Sequence, residues 1–144
     1  MYCEDVSDSP AIAWSELREA ARKATQHSYA PYSKVRVGAA GLTSDGRTVV
    51  GSNVENASFG LTLCAECSLV SDLARRGGGR LVAVAVVAGD GEPLAPCGRC
   101  RQLLYEFGGA ALLVDEGEGR APTTIGDLLP NAFGPGDLDE RASS

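Results

Sequence analysis

Four of the five cysteines fall into two pairs, "LCAEC" at 63–67 and "PCGRC" at 96–100. By spacing alone this is one C-x2-C followed by another, the ligand pattern of a zinc ion held by four thiolates. Glu66 lies inside the first pair, and a carboxylate beside a zinc ligand suits a hydrolytic metal. It takes a proton from a water whose pKa the ion lowers to near ~7. The two uses exclude one another, because a catalytic zinc keeps an open position and leaves one cysteine spare. A third use is redox, since "CGRC" after an apolar strand resembles a thioredoxin-type C-x-x-C.

The elements that must carry these residues bear on the choice. "LVAVAVVA" at 81–88 is a continuous apolar run, the pattern of a strand covered on both faces. Helices are expected over Cys64 to Arg76, ended by "GGG" at 77–79, and from about Gly98 to Phe107, ended by Gly108-Gly109. Cys64 and Cys97 then stand at helix N-termini, where the dipole and free N–H groups stabilise thiolates. The site is expected beyond the carboxyl ends of the strands.

Around them, Ser9 as cap and Pro10 at the first helical position predict a helix over about 10–27. Its apolar face is Ile12, Trp14, Leu17, Ala20, Ala21 and Ala24. Strands are expected at Val35 to Thr43 and Thr48 to Val54, joined at Asp45-Gly46, and at 111–114. Thr123-Thr124 reads as a short strand or turn, and "IGDLLP" as a short helix. Strand–helix–strand over 81–114 implies a parallel pair with a right-handed crossover. The fold class is α/β, a three-layer α/β/α sandwich around a mixed, mostly parallel central sheet. Residues 1–144 read as a single domain with loose tails at about 1–9 and 135–144.

The chain has 144 residues and a net charge of −6, and its N-terminus, "MYCEDVSDSP", has no apolar signal-peptide core. No run approaches the ~18 apolar residues of a membrane span, so a cytoplasmic protein without a membrane partner is expected. In that reducing setting, paired cysteines bind metal or do redox chemistry. Nucleic-acid binders present basic stripes, whereas Arg75, Arg76 and Arg80 sit among glycines and read as a solvated turn. A small uncharged substrate fits the charge balance, and no nucleic-acid partner is expected. Cys3 stands apart in the tail, and His27, the single histidine, reads as a surface residue.

Of the three readings, the redox one leaves Cys64, Glu66 and Cys67 unexplained. Closed four-cysteine sites belong mostly to small domains without a core, and this chain has one. The catalytic zinc accounts for the most residues: Cys64, Cys97 and Cys100 as ligands, Glu66 as general acid/base.

"C-A-E…P-C-x-x-C" is the general signature of zinc deaminases with cysteine as first ligand. "PYS" (31–33), "VGAA" (37–40), "NVENASFGLTLCAE" (53–66), "PCGRCRQ" (96–102) and "LLPNAF" (128–133) extend the match over most of residues 10–133. Together they resemble the small, homotetrameric cytidine deaminase family. The resemblance implies one Zn2+ per subunit and hydrolysis of cytidine and 2′-deoxycytidine to uridine and 2′-deoxyuridine plus ammonia, in pyrimidine salvage. It implies that a zinc-activated water attacks C4 while Glu66 carries protons to N3 and to the departing amine. It further implies that Asn53 and Glu55 bond the ribose hydroxyls, and that the Ala65 N–H and Ala95 carbonyl meet the base edge. Phe133 would stack near the base of a neighbouring subunit, putting the sites of a homotetramer at its interfaces.

Three positions depart from the family's usual pattern. Val35 stands where an aromatic wall of the base pocket is usual, and Phe59 where tyrosine is common. Cys67 replaces an arginine that would hydrogen-bond the sulfurs and draw off the charge of three thiolates. Arg99 and Arg101 flank Cys100 and are the nearest substitutes, with Arg99 the more interesting because Arg101 belongs to the family motif. Three helical residues are about 300° of rotation, so Cys67 lies on roughly the face of Cys64; as a fourth ligand it would leave Glu66 idle, and it reads instead as a neutral thiol beside the ligands. Two alternatives remain: a blasticidin S-type nucleoside deaminase, which "PCGRCRQ" also resembles, and a non-enzymatic module with a closed four-cysteine zinc.

Overall fold

The structure, a computed structural model, describes residues 10–142. Cys3, Ser9 and the expected loose segment 1–9 lie outside the described residues. In chain order the elements are α1 (Trp14–Ala24), β1 (Val37–Thr43), β2 (Thr48–Ser52), α2 (Ala65–Arg75), β3 (Leu81–Ala88), α3 (Gly98–Gly108), β4 (Leu113–Val114), β5 (Thr123–Thr124), α4 (Ile125–Leu128) and α5 (Pro135–Ala142).

The apolar run at 81–88 lies at the centre of a five-stranded sheet of order β2-β1-β3-β4-β5. Its side chains alternate between two cores, as the twofold period of a strand requires. Val84 and Val86 pack with Leu69, Leu73, Leu104 and Ile125 on the side of α2 and α3. Ala83, Ala85 and Val87 pack with Leu17 and Ala21 of α1 on the other. The expected three layers and mixed sheet are therefore present, but "mostly parallel" is corrected. Only β3 and β4 run parallel; β1–β2, β1–β3 and β4–β5 are all antiparallel. The β1–β2 hairpin turns at Asp45-Gly46 as expected, with Gly46 at φ +91°. It enters the sheet through β1, so β1 opposes β3, and only the β3–α3–β4 crossover makes a parallel pair.

The α1 layer lies close against the sheet. A Cβ on Gly38 of β1 would come within 1.9 Å of the Ala21 carbonyl oxygen of α1, so only glycine fits there. At the far side, Arg18 of α1 donates through Nε and Nη2 to the two oxygens of Asp115, each at 2.7 Å. The Asp115 side chain is almost completely buried, and this two-pronged geometry is the strong form of the pair.

Several boundaries differ from the sequence reading; β1 begins at Val37 rather than Val35, and β4 at Leu113 rather than 111. The first helix starts at Trp14 on an Ala13 cap with no side-chain bond, and closes with a 3-10 turn at Thr25–His27. Ile12 and Trp14 both pack on the α1 core, and that packing overrides the local proline cue. β2 stops at Ser52: the Asn53 N–H still donates to Val37 O of β1 at 3.2 Å, and Val54 then pairs with Tyr29 and Leu63 instead. Residues 135–142 are helical where a loose tail was expected; Pro135 begins α5, and the Gly134 N–H donates to Asp137 Oδ2 at 2.8 Å. No helix among the described residues is long and apolar enough to cross a membrane.

The contact at Gly38 is testable. Gly38→Ala is expected to destabilise the fold by about 3 kcal/mol, the upper part of the overpacking range, because the obstacle is helix backbone. Gly60→Ala, which meets nothing within 4 Å, should stay within about 0.5 kcal/mol of the parent. Denaturant unfolding of the two variants measures both.

Candidate metal centre

Two strand-to-helix connections deliver the cysteines. After β2 the chain makes a loop pinned at its neck, where Val54 and Leu63 exchange backbone hydrogen bonds of 2.9 Å. Cys64 follows as the N-cap of α2, with extended backbone (φ −66°, ψ 160°). The first turn of α2 can lie on β2 because Gly51 has no side chain: a Cβ there would come within 2.3 Å of Ala65 O and Leu69 N. After β3, the Leu94 N–H returns to Val86 O at 2.9 Å, and Cys97 becomes the N-cap of α3 (φ −68°, ψ 168°). Neither cysteine side chain caps its helix, so both sulfurs stay available to one another.

The Sγ atoms of Cys64, Cys97 and Cys100 all lie within 4.8 Å of one another, with Cys64 and Cys97 at 4.0 Å. In a tetrahedral site with Zn–S near 2.3 Å, the sulfurs are about 3.8 Å apart, so the cluster has the right dimensions. Its electrostatics also call for a cation. Burial, followed by the neighbouring Cys97 and Glu66 charges, raises the Cys64 thiol above its ordinary value. Burial also raises Cys100, with the Glu66 and Cys64 charges adding to it. Cys97 alone is lowered: burial opposes its ionisation, but the Cys100 N–H, the neighbouring thiols and the Arg99 N–H outweigh that. A divalent cation reverses the penalty for the other two. The residues therefore fit zinc, and Cys64, Cys97 and Cys100 are its ligands.

Glu66 begins the buried face of α2 at 4% exposure. Burial raises its carboxyl above the usual range, against weaker opposing hydrogen bonds from its own backbone N–H and from the Cys100 thiol. The carboxyl thus sits beside the sulfur cluster with an increased hold on a proton. Cys67 lies outside the three-sulfur group. It lines a separate recess on the outer side of α2, with Val50, Val54, Leu63, Ser68 and Ser71. The closed four-cysteine site is thus not formed.

Arg99 and Arg101, the substitutes expected for the missing counter-charge, both direct their guanidiniums to backbone carbonyls. Arg99 donates to Thr62 O at 3.3 Å. Arg101 donates to Pro96 O at 2.8 Å and to Leu128 O at 3.1 Å.

The residues expected to hold a sugar form a second group. Asn53 is buried; its Oδ1 accepts from the Ser28 hydroxyl and from Val37 N–H (2.9 Å), and its Nδ2 donates to Val35 O (2.9 Å). Glu55 accepts from the Tyr32 and Ser33 N–H groups at 3.0 and 3.1 Å and from the Ser33 hydroxyl. The Ser33 hydroxyl is the main cause holding the Glu55 carboxyl below its ordinary value. Together, Tyr32, Ser33, Glu55, Phe59 and Thr62 line a cleft of about 330 Å³. Phe59, 74% exposed, meets the edge of Tyr32 with ring centroids 6.0 Å apart. Val35 and Phe133 are exposed and do not line this cleft. Ala65 is buried at the start of α2, and Ala95 is exposed just before Pro96.

Sequence reasoning missed Ser28, Tyr32 and Ser33 as partners of these side chains. "PYS" was visible as a motif, but nothing local connects it to a carboxylate 22 residues away.

Comparison with known proteins agrees with this geometry. A family model described as "Cytidine and deoxycytidylate deaminase zinc-binding region" matches residues 13–115. The chain is 55% identical over 129 residues to a cytidine deaminase of Mycobacterium tuberculosis, covering 90% of this chain and 96% of the relative. It is 40% identical over 127 residues to a cytidine deaminase of Halalkalibacterium halodurans, covering 86% and 96%. The crystal structure of the Mycobacterium tuberculosis cytidine deaminase superposes with a TM-score of 0.82 at 55% identity, covering 86% of this chain and 99% of that one. That from Mycobacterium leprae superposes with 0.80 at 53%, covering 84% and 100%.

The ligand set makes a direct prediction. Cys67→Ser is expected to retain one zinc per chain, whereas Cys64→Ser loses it, as measured by metal analysis of purified protein. Equal loss in both variants would return Cys67 to the metal.

Proposed function

Because the chain belongs to the cytidine and deoxycytidylate deaminase zinc-binding family, we propose that it is a zinc-dependent hydrolase converting cytidine and 2′-deoxycytidine to uridine and 2′-deoxyuridine with release of ammonia. The observation that carries this reading is a buried carboxyl, Glu66, beside three clustered thiols from which the fourth cysteine is excluded.

Zinc at the three cysteines supplies Lewis-acid chemistry, lowering the pKa of water to near ~7. Glu66 does the proton work. Its carboxylate takes a proton from the attacking water and passes it to N3 as the C4–O bond forms. It then takes the proton of the new C4 hydroxyl and delivers it to the amine as the C4–N bond breaks and the C4 carbonyl forms, so that one water enters and one ammonia leaves. Burial strengthens this carboxyl's hold on a proton, which suits a group that accepts a proton and returns it. The Ala65 N–H and the Ala95 carbonyl meet the base edge and its amino group, orienting C4. Glu55 keeps an acceptor position on Oε2 for a ribose hydroxyl after its bonds to Tyr32 and Ser33, and Asn53 fixes the strand end beside it. Phe59 gives the sugar cleft one hydroxyl fewer than the family's usual tyrosine, and Val35, exposed outside that cleft, would offer the base a smaller wall than the usual aromatic.

The chain acts as one domain, a reading supported by the two cores on opposite faces of β3. It works as a homotetramer with Phe133 reaching a neighbour's base. Two features support this: Phe133 is 58% exposed, and Val50, Val54 and Leu63 remain uncovered around a recess of about 620 Å³. The free thiols Cys64, Cys67, Cys97 and Cys100 suit a reducing, cytoplasmic setting.

Glu66→Gln is expected to keep one zinc per chain and lower kcat on cytidine roughly 10²–10⁴-fold, followed by the absorbance change of cytosine to uracil. Unchanged turnover in that variant would remove Glu66 from the reaction. Sedimentation should give four times the 14.9 kDa chain mass, and a monomer active at nanomolar concentration would contradict the shared site.

A further inference from the structure

The segment after α4 is held by one helix, and that helix is also a metal-binding element. Cys97 caps α3 and Cys100 lies in its first turn. From the following residues, Arg101 Nη1 donates to Leu128 O at 3.1 Å and Gln102 Nε2 donates to Phe133 O at 2.8 Å. One turn on, the Tyr105 ring lies where a Cβ on Gly134 would be, 2.8 Å from its Cε1. Between these anchors the backbone turns through Asn131 at φ +54°, in the left-handed region that non-glycine residues enter rarely. The Phe133 carbonyl is therefore fixed to α3 while its ring stays uncovered. Gln102 is itself exposed, so its side chain adds little to packing, and its amide is committed to the Phe133 carbonyl.

We propose that Gln102 is a positioning residue for substrate affinity, holding Phe133 at the angle from which its ring meets the nucleoside base. The inference rests on the reading of Phe133 as a base-stacking residue. α3 then acts as a single rigid body, with its N-terminus at the metal and its second turn setting the aromatic contact. Losing the clamp frees the loop, so part of the stacking contact is spent on ordering it at each binding event.

The test compares Gln102→Glu, Gln102→Lys, Phe133→Ala and the double variant Gln102→Glu with Phe133→Ala. Glutamate keeps the shape but cannot donate; lysine can donate to the carbonyl; both favour helix. The substrate carries no charge, so the change of charge at residue 102 does not itself attract or repel it. KM and kcat for cytidine, zinc per chain and the unfolding midpoint are measured for each. Gln102→Glu is expected to raise KM roughly three- to tenfold, the loss of one hydrogen bond, with kcat, zinc and midpoint near the parent. Gln102→Lys should restore KM. Phe133→Ala should raise KM at least as far, and Gln102→Glu should add nothing in that background, as coupled residues behave in a double-mutant cycle. If Phe133→Ala raises KM but Gln102→Glu does not, or if the two effects add, the positioning role is overturned while the stacking role stands. If Phe133→Ala leaves KM unchanged, the stacking role fails, and the positioning role with it.

Discussion

The site depends on one close approach, the first turn of α2 lying directly on the backbone of β2. Gly51 permits it, since any side chain there would meet Ala65 O and Leu69 N. With α2 seated, Cys64 faces the N-terminus of α3, and three sulfurs converge on a point where burial makes Cys64 and Cys100 costly to ionise. Glu66 is drawn into the same buried corner. The geometry that crowds three thiols is thus the geometry that raises the carboxyl. A cation relieves the crowding of the sulfurs and leaves the carboxyl as the group with a proton to move.

The central strand was legible because its chemistry is local. Eight apolar residues in a row at 81–88 match a strand wrapped on both sides, and its side chains divide accordingly, Val84 and Val86 to one core, Ala83 and Ala85 to the other. Strand direction was not legible. The partnership of β1 with β3 joins segments separated by a whole helix, and no residue in either announces it. The start of α1 shows the same limit from the other side: Pro10 is a local signal for a helix, whereas the docking of Ile12 and Trp14 is tertiary and prevails. α5 escaped notice because it buries no residue and so leaves no apolar stripe to read.

The site divides along the same line. Metal ligands must be particular residue types at particular spacings, so the three cysteines and Glu66 stood out. The counter-charge did not, because position along a helix says little about where a long side chain ends. Arg99 lies one residue from Cys100 and yet reaches back to Thr62 O, closing the loop before Cys64 against the helix after Cys97. The arginines therefore brace the carbonyl framework, while N–H groups in the first turn of α3 act on Cys97. Ser28 and Ser33 act over 25 and 22 residues, beyond any window in which a sequence pattern forms.

The ion pair between Arg18 and Asp115 bears on how the closures of the chain nest. It closes a loop of 97 residues, while the three zinc ligands span 36, from 64 to 100. Loop-closure entropy makes the longer closure costlier by about 0.9 kcal/mol, and both metal-bearing helices lie wholly inside it. The metal centre therefore closes the shorter loop, nested wholly within the longer one that the ion pair completes.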